Sequence, residues 1–174
     1  RRPKVELFWR LGVPGEWDRW RDDPAVALLI LDAEGDKAFC AGGDIAELHA
    51  TGMAGDFAYG RRFWSDESRM NAKLAGFPKP VVALMQGFTM GGGVGLGCHA
   101  GYRIVDASTR IAMPECGIGL VPDVGGSLLL ARAPGRLGDY LGTTAGRMEA
   151  GDAILAGFAD CFVPQDRWAG LATA

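Results

Sequence analysis

The sequence predicts an α/β fold, and three observations predict it. Apolar runs of strand length recur along the chain, at Ala25–Leu31, Pro80–Met85, Tyr102–Val105 and Thr109–Met113. Stretches with helical periodicity lie between them, the longest from Asp56 to Phe77. Glycines gather where strands give way to helices, at Gly42-Gly43 and at Gly91-Gly92-Gly93. Strands alternating with helices are the mark of the α/β class.

At 174 residues the chain suits one domain with its own core. Hydrophobic residues make up 48% and charged residues 22%, which is the balance of a folded protein and not of a disordered one. A net charge of -3 offers no electrostatic basis for nucleic-acid binding. No apolar run reaches the length of a membrane span. The basic start, Arg1-Arg2-Pro3-Lys4, has no apolar stretch or small-residue cleavage site after it, so no signal peptide is expected. Cys40, Cys98, Cys116 and Cys161 are scattered, without a C-x-x-C pair. That pattern points to reduced thiols in a cytosol-like compartment, with neither a zinc site nor a disulfide framework.

In chain order, Leu7, Phe8, Leu11 and Trp17 suggest a helix that Gly12-Val13-Pro14-Gly15 breaks. A short helical piece follows from Glu16 to Arg21, ended by Asp23-Pro24. The continuous run Ala25–Leu31 reads as a strand buried on both faces. Asp44 is placed to cap a helix starting at Ile45, which leaves Gly43 with an amide able to face a ligand. In the long helix, Tyr59, Phe63, Met70, Leu74 and Phe77 share one face, and Glu67 falls on it too. A carboxylate there must be paired, with Arg61 or Arg62 as candidates, or used. Strand 80–86 enters the glycine cluster, and a helix is expected over Val94–Ala100. Two short strands follow, then a loop from Gly117 to Gly126. Helices are expected at Ser127–Arg132, Leu137–Thr143 and Ala150–Ala156, and a last strand at Cys161–Pro164. No fixed-period repeat is present.

Several motifs fail on spacing. From Gly91 the sixth place of G-x-G-x-x-G is Leu96, and from Gly93 it is Cys98. Starting at Gly95 the sixth place is Ala100, but that run lies inside the expected helix. No Gly-Lys pair marks a P-loop. Nothing around Ser127 resembles a nucleophile elbow, which counts against a triad with His99. Close helix packing alone would account for the glycine cluster. If both glycine mouths converge, however, they offer two backbone amides to one oxygen, the arrangement of an oxyanion hole. Glu115 and Asp123 would then supply acid/base or nucleophilic chemistry beside it.

Four segments in order carry a resemblance. They are Lys37-Ala38-Phe39-Cys40-Ala41-Gly42-Gly43-Asp44-Ile45, Gly87-Phe88-Thr89-Met90-Gly91-Gly92-Gly93-Val94-Gly95, Ala112-Met113-Pro114-Glu115, and Ile118-Gly119-Leu120-Val121-Pro122-Asp123-Val124-Gly125-Gly126. Together they resemble the crotonase (enoyl-CoA hydratase/isomerase) superfamily, and the last resembles its 3-hydroxyisobutyryl-CoA hydrolase branch. The resemblance implies a crotonase-like (ClpP/crotonase) spiral of ββα units over Asp23 to Pro164. It implies oxyanion-hole amides at Gly43 and Gly92, working carboxylates at Glu115 and Asp123, and a substrate-binding carboxyl at Glu67. A hydratase of this superfamily carries a second catalytic glutamate where this chain has Gly95, so enoyl hydration is disfavoured.

The implied activity is hydrolysis of a 3-hydroxyacyl-CoA thioester, as in valine catabolism. The alternatives are an enoyl-CoA hydratase/isomerase of the same fold, or a truncated acyl-CoA-binding relative without activity. No cofactor and no metal are implied, since coenzyme A is part of the substrate. The implied partners are an acyl-CoA and further copies of the chain, with neither nucleic acid nor membrane. The implied location is cytoplasmic, or the mitochondrial matrix in a eukaryote. The whole chain, 1–174, is expected to be one crotonase-like domain lacking part of the family's N-terminal region and its C-terminal helical region.

Overall fold

The computed structural model describes residues 16–171. The broken helical pattern over Val5–Gly15 and the Arg2-Pro3-Lys4 segment lie outside the described residues.

Helix α1 (Glu16–Asp22) matches the short piece expected before Asp23-Pro24. Strand β1 (Leu29–Leu31) and strand β2 (Ala38–Cys40) follow, then helices α2 (Ile45–Met53) and α3 (Phe57–Ala75). The same order returns with β3 (Val81–Met85), β4 (Phe88–Met90) and α4 (Gly92–Gly97). It returns again with β5 (Tyr102–Val105) and β6 (Arg110–Ala112), leading into a 3-10 turn at Glu115–Ile118. Helices α5 (Gly126–Arg132), α6 (Leu137–Thr144) and α7 (Ala150–Leu155) precede β7 (Cys161–Phe162), and α8 (Trp168–Leu171) comes last.

Consecutive strands alternate between two parallel sheets. One has the order β1-β3-β5-β7 and the other β2-β4-β6. Register is set by pairs such as Ile30 with Val82, Leu84 with Ile104, and Thr89 with Ile111. This is the ββα spiral, and it repeats in space without repeating in sequence. The main core gathers Val81, Ala83, Met85 and Val105 from the first sheet with Ile111, Val94, Leu96, Met70 and Leu74. A smaller cluster of Leu84, Ile104 and Trp168 lies apart from it.

Two expectations need correction. Ala25–Leu31 is not a strand buried on both faces: only Leu29–Leu31 is strand, with Leu29 and Leu31 half-buried and Ile30 exposed. It stands at the sheet's edge, where one face packs on the core, and residues 23–26 are turned by bonds from Ala25 and Val26 N–H to Asp23. The sequence does not predict strand β4, because 80–86 reads as running straight into the glycine cluster. A turn at Gly87 intervenes, with φ +59, and a Cβ there would lie 2.2 Å from the Lys37 carbonyl oxygen. Only glycine fits such a crossing.

The helices that position the site start where their caps predict. Asp44 accepts from Glu47 N–H, and Asp56 from Ala58 and Tyr59 N–H. Helix α3 buries Phe63, Glu67, Met70, Asn71 and Leu74 along one stripe. Helix α4 is glycine-rich because it runs against β2: a Cβ on Gly93 would fall 2.0 Å from the Cys40 carbonyl oxygen.

Candidate active site

The two glycine mouths meet. Gly42 follows β2 with φ +94, and a Cβ there would lie 3.4 Å from the Gly92 nitrogen and 3.9 Å from Gly91 Cα. Gly91 opens α4 with φ 52 and ψ -121, a conformation open to glycine alone. Gly43 and Gly92 line one cleft of about 70 Å³, together with Phe63, Glu67, Glu115 and Asp123. No acceptor among the described residues pairs with the Gly43 or Gly92 amide. Gly92 is the first residue of α4, where backbone N–H groups have no partner inside the helix. All five residues singled out from the sequence are therefore brought together.

Glu115 arrives at the end of β6, on the first residue of the 3-10 turn, and is buried. Its Oε1 lies 3.1 Å from where a Gly91 Cβ would stand, so a side chain at 91 would crowd the carboxylate. Its Oε2 is buried without a hydrogen-bond partner among the described residues. Burial, with the charge of Asp123, pushes the Glu115 carboxyl up to about 7.

Glu67 comes from the buried stripe of α3 and is 6% exposed. The alternative of a pairing with Arg61 or Arg62 does not form: both arginines are exposed, and no ion pair to Glu67 exists among the described residues. Burial first, then the charges of Asp123 and Glu115, push Glu67 up to about 8. Asp123 stands half-buried in the loop before α5, and burial raises its carboxyl as well. Three acidic groups at one cleft cannot all ionise freely, so near neutrality one of them is kept as a proton donor.

Gly95 shows why no second glutamate serves this site. A Cβ at 95 would lie 2.5 Å from Asn71 Nδ2 and 2.8 Å from the Val124 Cβ. The space a side chain would need is already filled. The Ser127–His99 pairing considered from the sequence does not occur. His99 Nε2 meets the Val124 carbonyl oxygen at 2.9 Å, and Ser127 is exposed at the start of α5. The sequence reading missed the apolar wall of Phe63, Trp64, Ile118 and Leu120. Phe63 was legible on the helix stripe, whereas Ile118 and Leu120 sit in a glycine-rich loop with no periodicity to expose them. Among the described residues no cluster of three or more His, Cys, Asp or Glu is arranged to hold a metal ion. No helix among them is long and apolar enough to cross a membrane.

A fold of paired strands and helices in two parallel sheets, with glycine amides and carboxyls at one cleft, defines a crotonase-type protein. The sequence matches the family described as Enoyl-CoA hydratase/isomerase over residues 14–174, and the chain belongs to that family.

Among curated relatives, it is 45% identical over 148 residues to the Xenopus tropicalis protein named "3-hydroxyisobutyryl-CoA hydrolase, mitochondrial", covering 85% of this chain and 38% of that one. It is 40% identical over 152 residues to Arabidopsis thaliana 3-hydroxyisobutyryl-CoA hydrolase 1, covering 87% of this chain and 40% of that one. Among solved structures, a Rhodobacter sphaeroides protein described as an enoyl-CoA hydratase superposes with a TM-score of 0.88 at 64% identity, over 90% of this chain and 47% of that one. A Mycobacterium thermoresistibile carnitinyl-CoA dehydratase superposes equally well, with a TM-score of 0.88 at 43% identity, over 98% of this chain and 48% of that one. The chain thus spans about two fifths of the length of these curated relatives.

Proposed function

We propose that this chain carries the catalytic region of an acyl-CoA thioester hydrolase, acting on a short branched 3-hydroxyacyl-CoA of the 3-hydroxyisobutyryl-CoA kind. One observation carries the reading: Glu67, Glu115 and Asp123 share a cleft with Gly43 and Gly92, while Gly95 has no room for another carboxylate. The relatives named as hydrolases support the substrate class.

In this reading the thioester carbonyl oxygen lies between the Gly43 and Gly92 amides. Attack on the carbonyl carbon turns that oxygen into an oxyanion, which the two N–H groups stabilise. Losing one such donor typically raises the barrier by about 3–4 kcal/mol. Ionised Glu115 drives the attack. It either takes a proton from water as the water adds, or adds itself to form an anhydride that water then opens. Collapse breaks the C–S bond, and coenzyme A leaves as a thiolate that takes up a proton. Asp123 orients the water or the acyl hydroxyl. Glu67, held protonated by burial, donates a hydrogen bond to the substrate's 3-hydroxyl. The reaction needs no cofactor, because coenzyme A enters with the substrate.

A second reading, enoyl-CoA hydration, draws on the 64% identity to the Rhodobacter sphaeroides protein described as an enoyl-CoA hydratase. Hydration adds a proton and a hydroxyl across a double bond and, in this superfamily, uses a second carboxyl at the place of Gly95. Asn71 and Val124 fill that place here.

The test is Glu115→Gln. Its kcat for thioester hydrolysis should fall by about 10²–10⁴, the usual contribution of a positioned acid or base, while CoA-ester affinity measured by calorimetry is kept. Wild-type turnover by this variant would remove Glu115 from the mechanism.

A further inference from the structure

We infer that Asn71 and His99 form a brace on the Val124 carbonyl that positions Asp123 for the reaction. The kinetic consequence rests on the thioesterase reading above, but the geometry does not.

Val124 is buried and has a φ of +47. A β-branched residue avoids the left-handed region, because its Cβ substituents crowd the backbone there. Such a conformation persists only where the surroundings over-determine it. Two side chains do so here. His99 Nε2 stands 2.9 Å from the Val124 carbonyl oxygen, and Asn71 Nδ2 stands 3.5 Å from the same oxygen. A carbonyl oxygen only accepts, so His99 Nε2 carries the hydrogen and donates it. One residue earlier, the Asp123 carbonyl accepts from Gly126 N–H at 2.6 Å. The main chain is therefore held on both peptide units that follow the Asp123 side chain.

Two glycines are explained by the same brace. A Cβ on Gly125 would lie 2.6 Å from His99 Nε2, and one on Gly95 would lie 2.5 Å from Asn71 Nδ2. Each absent Cβ leaves the space that a bracing side chain occupies. Gly95 is thus the residue that lets Asn71 reach the loop, as well as the place where a second glutamate is missing.

Asn71 itself argues for a use beyond packing. It is 4% exposed, and its Oδ1 is buried without a hydrogen-bond partner among the described residues. An aliphatic side chain of similar shape would avoid that orphaned oxygen, so the retained amide points to its donor end. Asn71 also lies four residues after Glu67 on α3, one helical turn along the same face. One rigid element therefore sends Glu67 into the cleft and Asn71 onto the loop that carries Asp123. This fixes the spacing between the two carboxyls.

The experiment compares His99→Gln, which keeps an N–H donor, with His99→Phe, which keeps a ring and loses the donor. Asn71→Leu and Gly95→Ala run beside them, and thermal melting confirms that each variant is folded. The expected result for His99→Phe, Asn71→Leu and Gly95→Ala is a kcat lower by about 10–100-fold with KM for the CoA ester near wild type, since misplacement of a reacting group by about 1 Å has that effect. His99→Gln should recover most of the loss. Amide hydrogen exchange over residues 123–127 should quicken in the impaired variants and not in His99→Gln. Equal losses in His99→Gln and His99→Phe, or wild-type kcat and exchange in His99→Phe and Asn71→Leu, would overturn the brace. If the wild-type chain hydrolyses no thioester, the proposed function fails while the exchange data still decide whether the brace exists.

Discussion

Three carboxyl groups face one small cleft, and burial governs when each of them loses its proton. Burial pushes Glu67 up from 4.5 to about 8, so its stability contribution depends on pH. Below about pH 4.5 both the folded and unfolded chains keep the proton and nothing is lost. As pH rises towards 8 the unfolded chain releases its proton first, which favours unfolding. Glu67→Gln cannot titrate and should escape that loss. Its melting temperature is expected to match wild type at pH 4 and to exceed it at pH 8, by a free energy on the order of a few kcal/mol. A difference that stays constant between pH 4 and pH 8 would contradict this account of Glu67. The sequence exposed Glu67 through its three- and four-residue spacing to apolar neighbours. It could not expose Asn71 and His99 as braces, because a bond to a main-chain carbonyl selects for no particular residue at the carbonyl.

The elements divide by how strong a local signal they carry. Helix α3 was legible almost to the residue, since Asp56 caps it and its apolar stripe runs for 19 residues. Strand β4 left no trace, because it has three residues and follows a Gln86-Gly87 turn that reads as the start of the glycine cluster. The apolar run at 25–31 overstates the length of β1 and suggests burial on both faces, since an apolar run does not reveal that its strand lies at an edge. The contact between β2 and α4 sets how closely Gly42 and Gly43 approach Gly92, and Gly93 is the residue that permits it. A methyl at 93 would meet the Cys40 carbonyl oxygen, a backbone atom that cannot rotate aside. Gly93→Ala should therefore destabilise the fold by about 1–3 kcal/mol or more, as overpacking does, and lower activity with it. Chemical denaturation reads this directly, and an unchanged midpoint would contradict the close approach of α4 to β2.

For the whole molecule, the spiral of ββα units is legible in four short motifs and not in periodicity. The first unit closes with the long α3, whereas the second closes with a helix of six residues, so the repeat in space has no counterpart of fixed length in sequence. What the spiral achieves is convergence. The ends of β2, β4 and β6 and the middle of α3 deliver Gly43, Gly92, Glu115 and Glu67 to one cleft, which Asp123 completes from the loop. We propose that this cleft hydrolyses a thioester instead of hydrating an enoyl group. Coenzyme A release read with a thiol reagent, and loss of the enoyl double bond read by ultraviolet absorbance, with 3-hydroxyisobutyryl-CoA and crotonyl-CoA in parallel, are the test. The expected result is thiol release from the hydroxyacyl ester and negligible loss of the crotonyl double bond. Robust hydration of crotonyl-CoA without thiol release from 3-hydroxyisobutyryl-CoA would contradict it.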